Sequence, residues 1–213
     1  MRIGIIGSGD VGQTLGSAFL AEGYEVKLGS RSPGQERVQH WLAKEGAVAS
    51  VGTFADVTQY ADIIFLAVRW DGAKSALDLA GTHALAGKIL VDVTNPLDFS
   101  FGTIPRLAIG HSDSGGECVQ RWVPEAQVVK AFNSVGSPHM YKPKFSEIPD
   151  MLIAGNNEEA KRTVGELLLK FGWNPIDMGN IEASRLIEPL AMLWILYAVQ
   201  TNTWNHAWKL LKK

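Results

Sequence analysis

The 213-residue chain has a single cysteine, Cys118, so it cannot form an intrachain disulfide. It also lacks an excess of charge of either sign, since 20 Lys and Arg stand against 22 Asp and Glu. That balance gives no reason to expect a nucleic acid or an anionic membrane as a partner. The uncharged stretch 189–208 contains an unbroken apolar run only over 190–199, which is too short to span a bilayer.

The first residues lack the long apolar core of a signal peptide and run directly into a glycine motif. A lone cysteine is typical of a reducing compartment, so we expect a cytoplasmic location. The spacing of His, Cys, Asp and Glu indicates no metal site, and no catalytic nucleophile–base pair is evident.

Short apolar runs alternate with segments of helical periodicity. The runs are rich in Val and Ile and lack polar alternation, as expected of strands covered on both faces. Strand–helix–strand units repeated in this way predict an α/β fold, a Rossmann-type doubly wound parallel sheet. Strands are predicted at 2–6, 25–28, 47–51, 62–68, 88–93, 126–132, 150–155 and 173–178, and helices at 11–22, 34–45, 53–60, 71–80, 117–123 and 158–172.

The remaining segment, from 181 to the end, is predicted to be helical, as two helices or one bent helix. We expect a dinucleotide-binding Rossmann domain over 1–155 and a small C-terminal helical extension over 156–213, which would form a wall of the substrate cleft. The extension carries more apolar surface than a lone surface helix needs, which favours a homodimer. The side chains expected to be buried there are Leu190, Leu193, Trp194, Tyr197, Trp204 and Trp208.

Gly7, Gly9 and Gly12 have the spacing G-x-G-x-x-G between a predicted strand and a predicted helix. This is the context in which the motif binds a dinucleotide. The first glycine permits the tight turn, the second lets the backbone approach a pyrophosphate, and the third lets the helix pack closely on the strand.

The second predicted strand ends in Ser30-Arg31-Ser32, where NAD-binding proteins usually carry an acidic residue for the ribose. An acid there would repel a 2′-phosphate, whereas a guanidinium and two hydroxyls can donate hydrogen bonds to one. The turn therefore favours NADP(H) over NAD(H).

The chain resembles the coenzyme F420-dependent NADP oxidoreductase family along nearly its whole length. The motifs that carry the resemblance, in order, are MRIGIIGSGDVG, LGSRS, LAVRW, VDVTNPL, VVKAFNSV and SRLIEPLAMLWI. The cytosolic domains of the six-transmembrane metalloreductases are similar, and pyrroline-5-carboxylate reductases are more distant. The resemblance implies hydride transfer between NADP(H) and a flavin or deazaflavin, with F420, FMN or FAD as the second substrate.

The resemblance also implies roles for individual residues. It places Ser8, Gly9, Asp10 and Val11 at the pyrophosphate, and Ser30 and Arg31 at the 2′-phosphate. Val68, Arg69 and Ala73 would border the ribose and nicotinamide, and Ala131 would lie beneath the ring. Arg69 stands where many members carry a proline, so it is a feature of this chain.

In an open α/β sheet, ligands bind beyond the carboxyl ends of the strands. For a small-molecule redox acceptor we therefore expect Trp70 and Phe132 as walls of a flat ring. Asn95 and Asn133 would either bond a carboxamide or ring carbonyl or tie turns together. The other expected contacts are Pro96, Leu97 and His139.

Ring-to-ring hydride transfer needs stacking and alignment rather than an acid–base pair. Two alternatives stay open from the sequence. One is a non-catalytic NADP-binding sensor or redox partner. The other is a small imine or carbonyl reductase, which would need a proton donor such as His139 or Tyr141.

Overall fold

The computed structural model describes residues 1–102 and 104–212. Every predicted strand and every predicted helix before residue 172 is present, with ends shifted by one or two residues. The strands are β1 (Arg2–Ile6), β2 (Glu25–Gly29), β3 (Ala49–Gly52), β4 (Ile63–Leu66), β5 (Ile89–Asp92), β6 (Leu97–Asp98), β7 (Arg106–Leu107), β8 (Gln127–Lys130), β9 (Asp150–Gly155) and β10 (Asn174–Asp177). The helices are α1 (Asp10–Ala21), α2 (Glu36–Glu45), α3 (Phe54–Tyr60), α4 (Ala73–Ala80), α5 (Gly115–Trp122), α6 (Glu158–Lys170) and α7 (Ser184–Thr201).

Eight strands form one sheet in the order β3-β2-β1-β4-β5-β8-β9-β10, which confirms the predicted Rossmann-type architecture. All neighbours are parallel except β8 and β9, where Lys130 lies opposite Ala154 in an antiparallel pair. The predicted parallel sheet is therefore confirmed with one antiparallel pair. The connection 131–149 contains only one 3₁₀ turn (Ser137–His139), so no helix crosses over the sheet and the chain re-enters in the opposite direction.

The core has one apolar layer on each face of the sheet. Alternate residues of β1 show this, because Ile3 and Ile5 pack with α1, α2 and α6, whereas Ile6 packs with α3, α4 and α5. This two-sided burial explains why the strands read as continuous apolar runs. Residues 156–177 supply α6 and β10 to the same sheet, and a domain division after residue 155 stays a prediction.

The prediction of helix from 181 to the end is wrong beyond residue 201. Helix α7 ends at Thr201, its C-cap residue Asn202 has a left-handed φ of 50°, and the following residues form no helix or strand up to 212. The tail folds back on its own chain. The Asp150 amide donates to the Trp208 carbonyl oxygen at 2.9 Å, and the Trp194 indole stacks on His206 with ring centroids 4.7 Å apart. Lys213 lies outside the described residues.

Within 1–102 and 104–212, no helix combines the length and apolar character needed to cross a bilayer.

Candidate dinucleotide and acceptor cleft

A cleft of about 1000 Å³ opens at the carboxyl ends of β1, β2, β4 and β5. This is the edge of the sheet at which the strand order reverses, where doubly wound folds bind their ligands. The predicted site residues that line the cleft are Gly7, Ser8, Gly9, Asp10, Val11, Ser30, Arg31, Ser32, Val68, Arg69, Trp70, Asn95 and Leu97.

The glycine turn connects β1 to α1 with little space for side chains. Gly7 has a φ of +127°, and a β-carbon there would lie 2.2 Å from the Ala67 carbonyl oxygen. A β-carbon on Gly12 would lie 2.0 Å from the Gly7 carbonyl oxygen, so this glycine packs the helix against the turn rather than lining the cleft. No atom lies within 4 Å of a β-carbon built on Gly9, which leaves its backbone open to the cleft.

Helix α1 begins at Asp10, and its N-cap residue, Gly9, makes no side-chain capping bond. The first amides of a helix have no partner inside the helix, and the N-terminal end carries a partial positive charge. These amides face a cleft that can hold the pyrophosphate of a dinucleotide.

The turn after β2 brings several donors to one end of the cleft. Ser30 is buried, and its Oγ accepts a hydrogen bond from the Ser32 amide at 3.2 Å. Arg31 is exposed beside it. Gln35 and Arg37 line the same part of the cleft. The sequence did not predict them as site residues, because it does not show that the start of α2 lies beside this turn. Arg37 forms an exposed ion pair with Asp10 of the glycine turn.

At the other end of the cleft, Trp70 follows β4 and stacks on Trp122 of α5. The two ring centroids are 5.3 Å apart, with an interplanar angle of 26°. Trp70 is therefore held from behind by a second aromatic ring. Phe99, which the sequence reasoning missed, also lines the cleft and is half exposed, because the β6–β7 hairpin holds the start of its connecting loop at this edge. Thr103 of that loop lies outside the described residues.

Arg69 points to solvent at the rim of the cleft. Its guanidinium lies 3.3 Å from the Asp71 carboxylate, and both side chains are mostly exposed. Such a pair contributes little to stability.

Phe132, expected to be a wall of the acceptor site, lies in the core with no exposed surface. Its ring packs edge-on against Phe65 and Phe171, with centroids 6.1 and 6.0 Å away. The structure brings Phe99 rather than Phe132 to the cleft. The other predicted site residues that do not line the cleft are Gly12, Ala73, Pro96, Ala131, Asn133 and His139.

Asn95 and Asn133 bond to each other and tie two turns together. The Asn95 amide nitrogen donates to the Asn133 carbonyl oxygen at 2.7 Å, and the Asn133 amide nitrogen donates to Asn95 Oδ1 at 2.9 Å. Asn133 also donates to the Ile187 carbonyl oxygen of α7 at 3.2 Å. Of the two readings left open, the structure shows the turn-tying role, and it leaves Asn95 partly exposed at the cleft.

The two side chains considered as proton donors face elsewhere. His139 Nε2 lies 3.0 Å from Asn205 Oδ1 of the C-terminal tail. The Tyr141 hydroxyl donates to Glu22 Oε1 at 2.8 Å. Hydrogen bonds from the Lys142 ammonium and from this hydroxyl lower the pKa of Glu22. Neither His139 nor Tyr141 lines the cleft.

Fold and cleft together define a Rossmann-type dinucleotide-binding protein. Residues 2–96 match the model of the family described as NADP oxidoreductase, coenzyme F420-dependent. The F420-dependent NADP reductase of Methanocaldococcus jannaschii is 31% identical over 205 residues, which cover 92% of this chain and 91% of that protein. A crystal structure of a candidate F420-dependent NADP-reductase from Arthrobacter sp. FB24 superposes over all of both chains, with a TM-score of 0.94 and 35% identity. The chain belongs to the F420-dependent NADP oxidoreductase family.

Metalloreductase STEAP3 of Rattus norvegicus is 32% identical over 194 residues. The match covers 90% of this chain but only 37% of that protein. The chain thus spans little more than a third of the length of the metalloreductase that it matches.

Proposed function

We propose that the protein transfers hydride between NADP(H) and a flat flavin or deazaflavin ring, such as F420, FMN or FAD. The observation that carries the proposal is the position of Trp70, held by Trp122, in the same cleft as the glycine turn. Phe99 supplies a second aromatic side chain at this end. Aromatic faces of this kind favour stacking with a flat acceptor.

Family membership supports NADP(H) as the dinucleotide, and the turn after β2 supports the same choice. Hydrogen-bond donors stand where an acidic residue would select NAD, and they come from Ser30, Arg31 and Ser32. Arg37 adds a second guanidinium at the same end of the cleft. A phosphate can accept paired hydrogen bonds from a guanidinium, whereas a ribose hydroxyl cannot use its charge.

In this reaction the residues of the chain bind and orient the two substrates. NADPH, when bound, supplies the hydride from C4 of its nicotinamide. The glycine turn would hold the pyrophosphate and the Ser30–Ser32 turn the adenosine end, which would leave Thr94 and Asn95 to border the nicotinamide. Trp70 and Phe99 would hold the acceptor against it. Proximity and alignment of this kind supply much of the catalysis in a bimolecular transfer.

The position of His139 and Tyr141 outside the cleft disfavours an imine or carbonyl reductase. Such an enzyme needs a proton donor within hydrogen-bond reach of the substrate. A ring-to-ring transfer does not place that demand on the protein.

The direct test uses NADPH carrying deuterium at C4 and a panel of F420, FMN, FAD, ferric chelates and imines, under anaerobic conditions. We expect the label in reduced F420, because its ring carbon retains the transferred hydrogen. A flavin receives hydride at an exchangeable nitrogen, so the expected result is a primary isotope effect in single turnovers. If no acceptor shows label or isotope effect, the non-catalytic sensor becomes the better explanation.

We further propose a homodimer that forms through α7. Its residues Leu186, Leu193 and Tyr197 are spaced along one helix face and are 74%, 54% and 49% exposed. Exposed apolar side chains in such a row are typical of an interface. The structure changes the predicted contact set, since the Trp194 side chain is buried against His206 and the Trp208 carbonyl oxygen bonds the Asp150 amide of the same chain. A cytoplasmic location also stays a proposal.

A further inference from the structure

Lys130, the last residue of β8, is fully buried behind the cleft. Its ammonium lies 2.7 Å from Asp92 Oδ2, 2.7 Å from Glu188 Oε1 and 2.8 Å from the Thr94 carbonyl oxygen. The Thr94 carbonyl oxygen accepts a hydrogen bond from this ammonium, and the carboxylates of Asp92 and Glu188 form ion pairs with it. Burial disfavours the charge, but the carboxylates of Asp92 and Glu188 outweigh it and raise the pKa of Lys130.

Of these three partners, Asp92 is the last residue of β5 and Thr94 lies in the turn that follows it. Asp92 Oδ1 accepts hydrogen bonds from the Thr94 amide at 2.9 Å and from the Thr94 hydroxyl at 2.7 Å. Lys130 binds the carbonyl of the same threonine, so Thr94 is held from both sides. Thr94 and Asn95 line the cleft at the end assigned to the nicotinamide.

The third acceptor, Glu188, comes from α7 and connects the cluster to α5. Its two carboxylate oxygens accept hydrogen bonds from the Gly115 and Gly116 amides, each at 2.9 Å. A β-carbon on Gly115 would lie 3.2 Å from Trp70 Cζ3, so the α5 N-terminus packs directly behind the aromatic wall. One cation among two carboxylates is tolerated because the helix N-terminus stabilises the second negative charge.

We propose that Lys130 is a positioning residue, which fixes the Thr94–Asn95 turn relative to α5 and α7 and thereby sets the nicotinamide end of the cleft. It touches neither ligand. The raised pKa of Lys130 keeps it protonated at neutral pH, which is consistent with a fixed donor and not with a proton carrier. The role in binding rests on the proposed NADPH function, whereas the role in ordering the turn does not.

The test compares Lys130→Met with a matched control, Lys161→Met. Lys161 is also buried and ion-paired, with its ammonium 2.8 Å from Glu158 Oε1 and 2.8 Å from Asp177 Oδ2, but it does not line the cleft. Methionine keeps most of the length and volume of lysine without its charge. Both variants therefore lose a buried lysine, and only one of them contacts the turn.

The first measurement is amide hydrogen exchange in the ligand-free protein. We expect exchange of the Thr94 amide to become about tenfold faster in Lys130→Met, because a local hydrogen-bond network is lost. In Lys161→Met it should stay within about twofold of the wild type. Equal acceleration in both variants, or none in Lys130→Met, would overturn the proposal.

The second measurement compares NADPH with 2′-phospho-ADP-ribose, which lacks only the nicotinamide ring. In Lys130→Met we expect NADPH affinity to fall about tenfold and 2′-phospho-ADP-ribose affinity to stay within about twofold. Equal losses for the two ligands would contradict a role at the nicotinamide end. If the wild-type protein binds neither ligand, the proposed function fails, and the exchange experiment alone decides the ordering role.

Loss of the lysine leaves two buried carboxylates, which can prevent folding. The double variant Lys130→Met/Asp92→Asn removes one positive and one negative charge, so the net charge of the cluster is unchanged. The carboxamide oxygen that Asp92→Asn introduces can still accept the hydrogen bond from the Thr94 amide. The same exchange and binding results are expected of the double variant, and a wild-type exchange rate at Thr94 would refute the proposal.

Discussion

Removing the guanidinium of Arg31 should weaken NADPH binding and leave NADH binding nearly unchanged. Arg31 follows β2 at the proposed adenosine end of the cleft, and among residues 1–102 and 104–212 no carboxylate lies within ion-pair distance of it. Its donors are therefore available to a 2′-phosphate. NADH has only a hydroxyl at that position and cannot benefit from the charge.

A hydrogen bond to a charged group contributes about 1.5–3 kcal/mol. Because Arg31 is exposed, solvent and salt screen the contact, so we expect the lower end of this range. Arg31→Ala should then weaken NADPH by roughly 10-fold, since about 1.4 kcal/mol corresponds to a factor of ten. Arg37→Ala should cost less, because Arg37 already pairs with Asp10 and must share its guanidinium.

Calorimetric titration of both cofactors at two salt concentrations measures this selectivity. The NADPH penalty of Arg31→Ala should shrink as salt rises, and the NADH affinity should stay within about twofold. Arg162→Ala is the control, because Arg162 is an exposed arginine of α6 that pairs with Glu159 and does not line the cleft. Equal losses for NADPH and NADH in Arg31→Ala would refute the placement of the 2′-phosphate.

Three further predictions concern the acceptor wall, the α7 surface and the cysteine. Trp70→Ala should raise the KM for the acceptor by roughly 10-fold through lost stacking, while NADPH affinity stays within about twofold. In steady-state kinetics His139→Ala should change neither quantity, and a large effect of this variant would favour a proton-donating reductase. Light scattering should give twice the 23.2 kDa chain mass for the wild type, and a monomeric wild type would contradict the dimer. Leu193→Glu should give the monomer mass, because it would bury a charge in the α7 interface. Burial and the neighbouring Asp113 raise the pKa of the Cys118 thiol to about 11. Iodoacetamide at pH 8 should therefore label native protein about 100-fold more slowly than unfolded protein, and rapid native labelling would show that the thiol is accessible.

Local patterns in the sequence determined the fold class and the dinucleotide end of the cleft. The strand β1 reads as a continuous apolar run because both of its faces are covered, and this holds for each parallel strand beside it. A β-carbon on Gly7 would collide with the carbonyl of Ala67, which directly follows β4, and one on Gly12 with the carbonyl of Gly7. Ser30 and Arg31 follow a strand whose end the sequence defines. Their place in the cleft could therefore be predicted without knowledge of distant contacts.

Tertiary structure decided the features that depend on which distant segments meet. The direction of β9 follows from a connection without a helix, and the fate of the tail follows from the Asp150–Trp208 hydrogen bond, which joins residues far apart in sequence. Helical periodicity cannot reveal either one. Aromatic composition likewise could not choose between Phe132 and Phe99, because the first is buried by rings from other elements.

The Lys130 cluster shows the same limit most clearly. Asp92, Lys130 and Glu188 come from β5, β8 and α7, and no spacing in the sequence relates the three. Parallel pairing of β5 with β8 puts the first two at the same level of the sheet, and the packing of α7 brings in the third. A buried charge is tolerated only where such partners converge, so the fold, and not the sequence pattern, determines that a lysine can occupy that position.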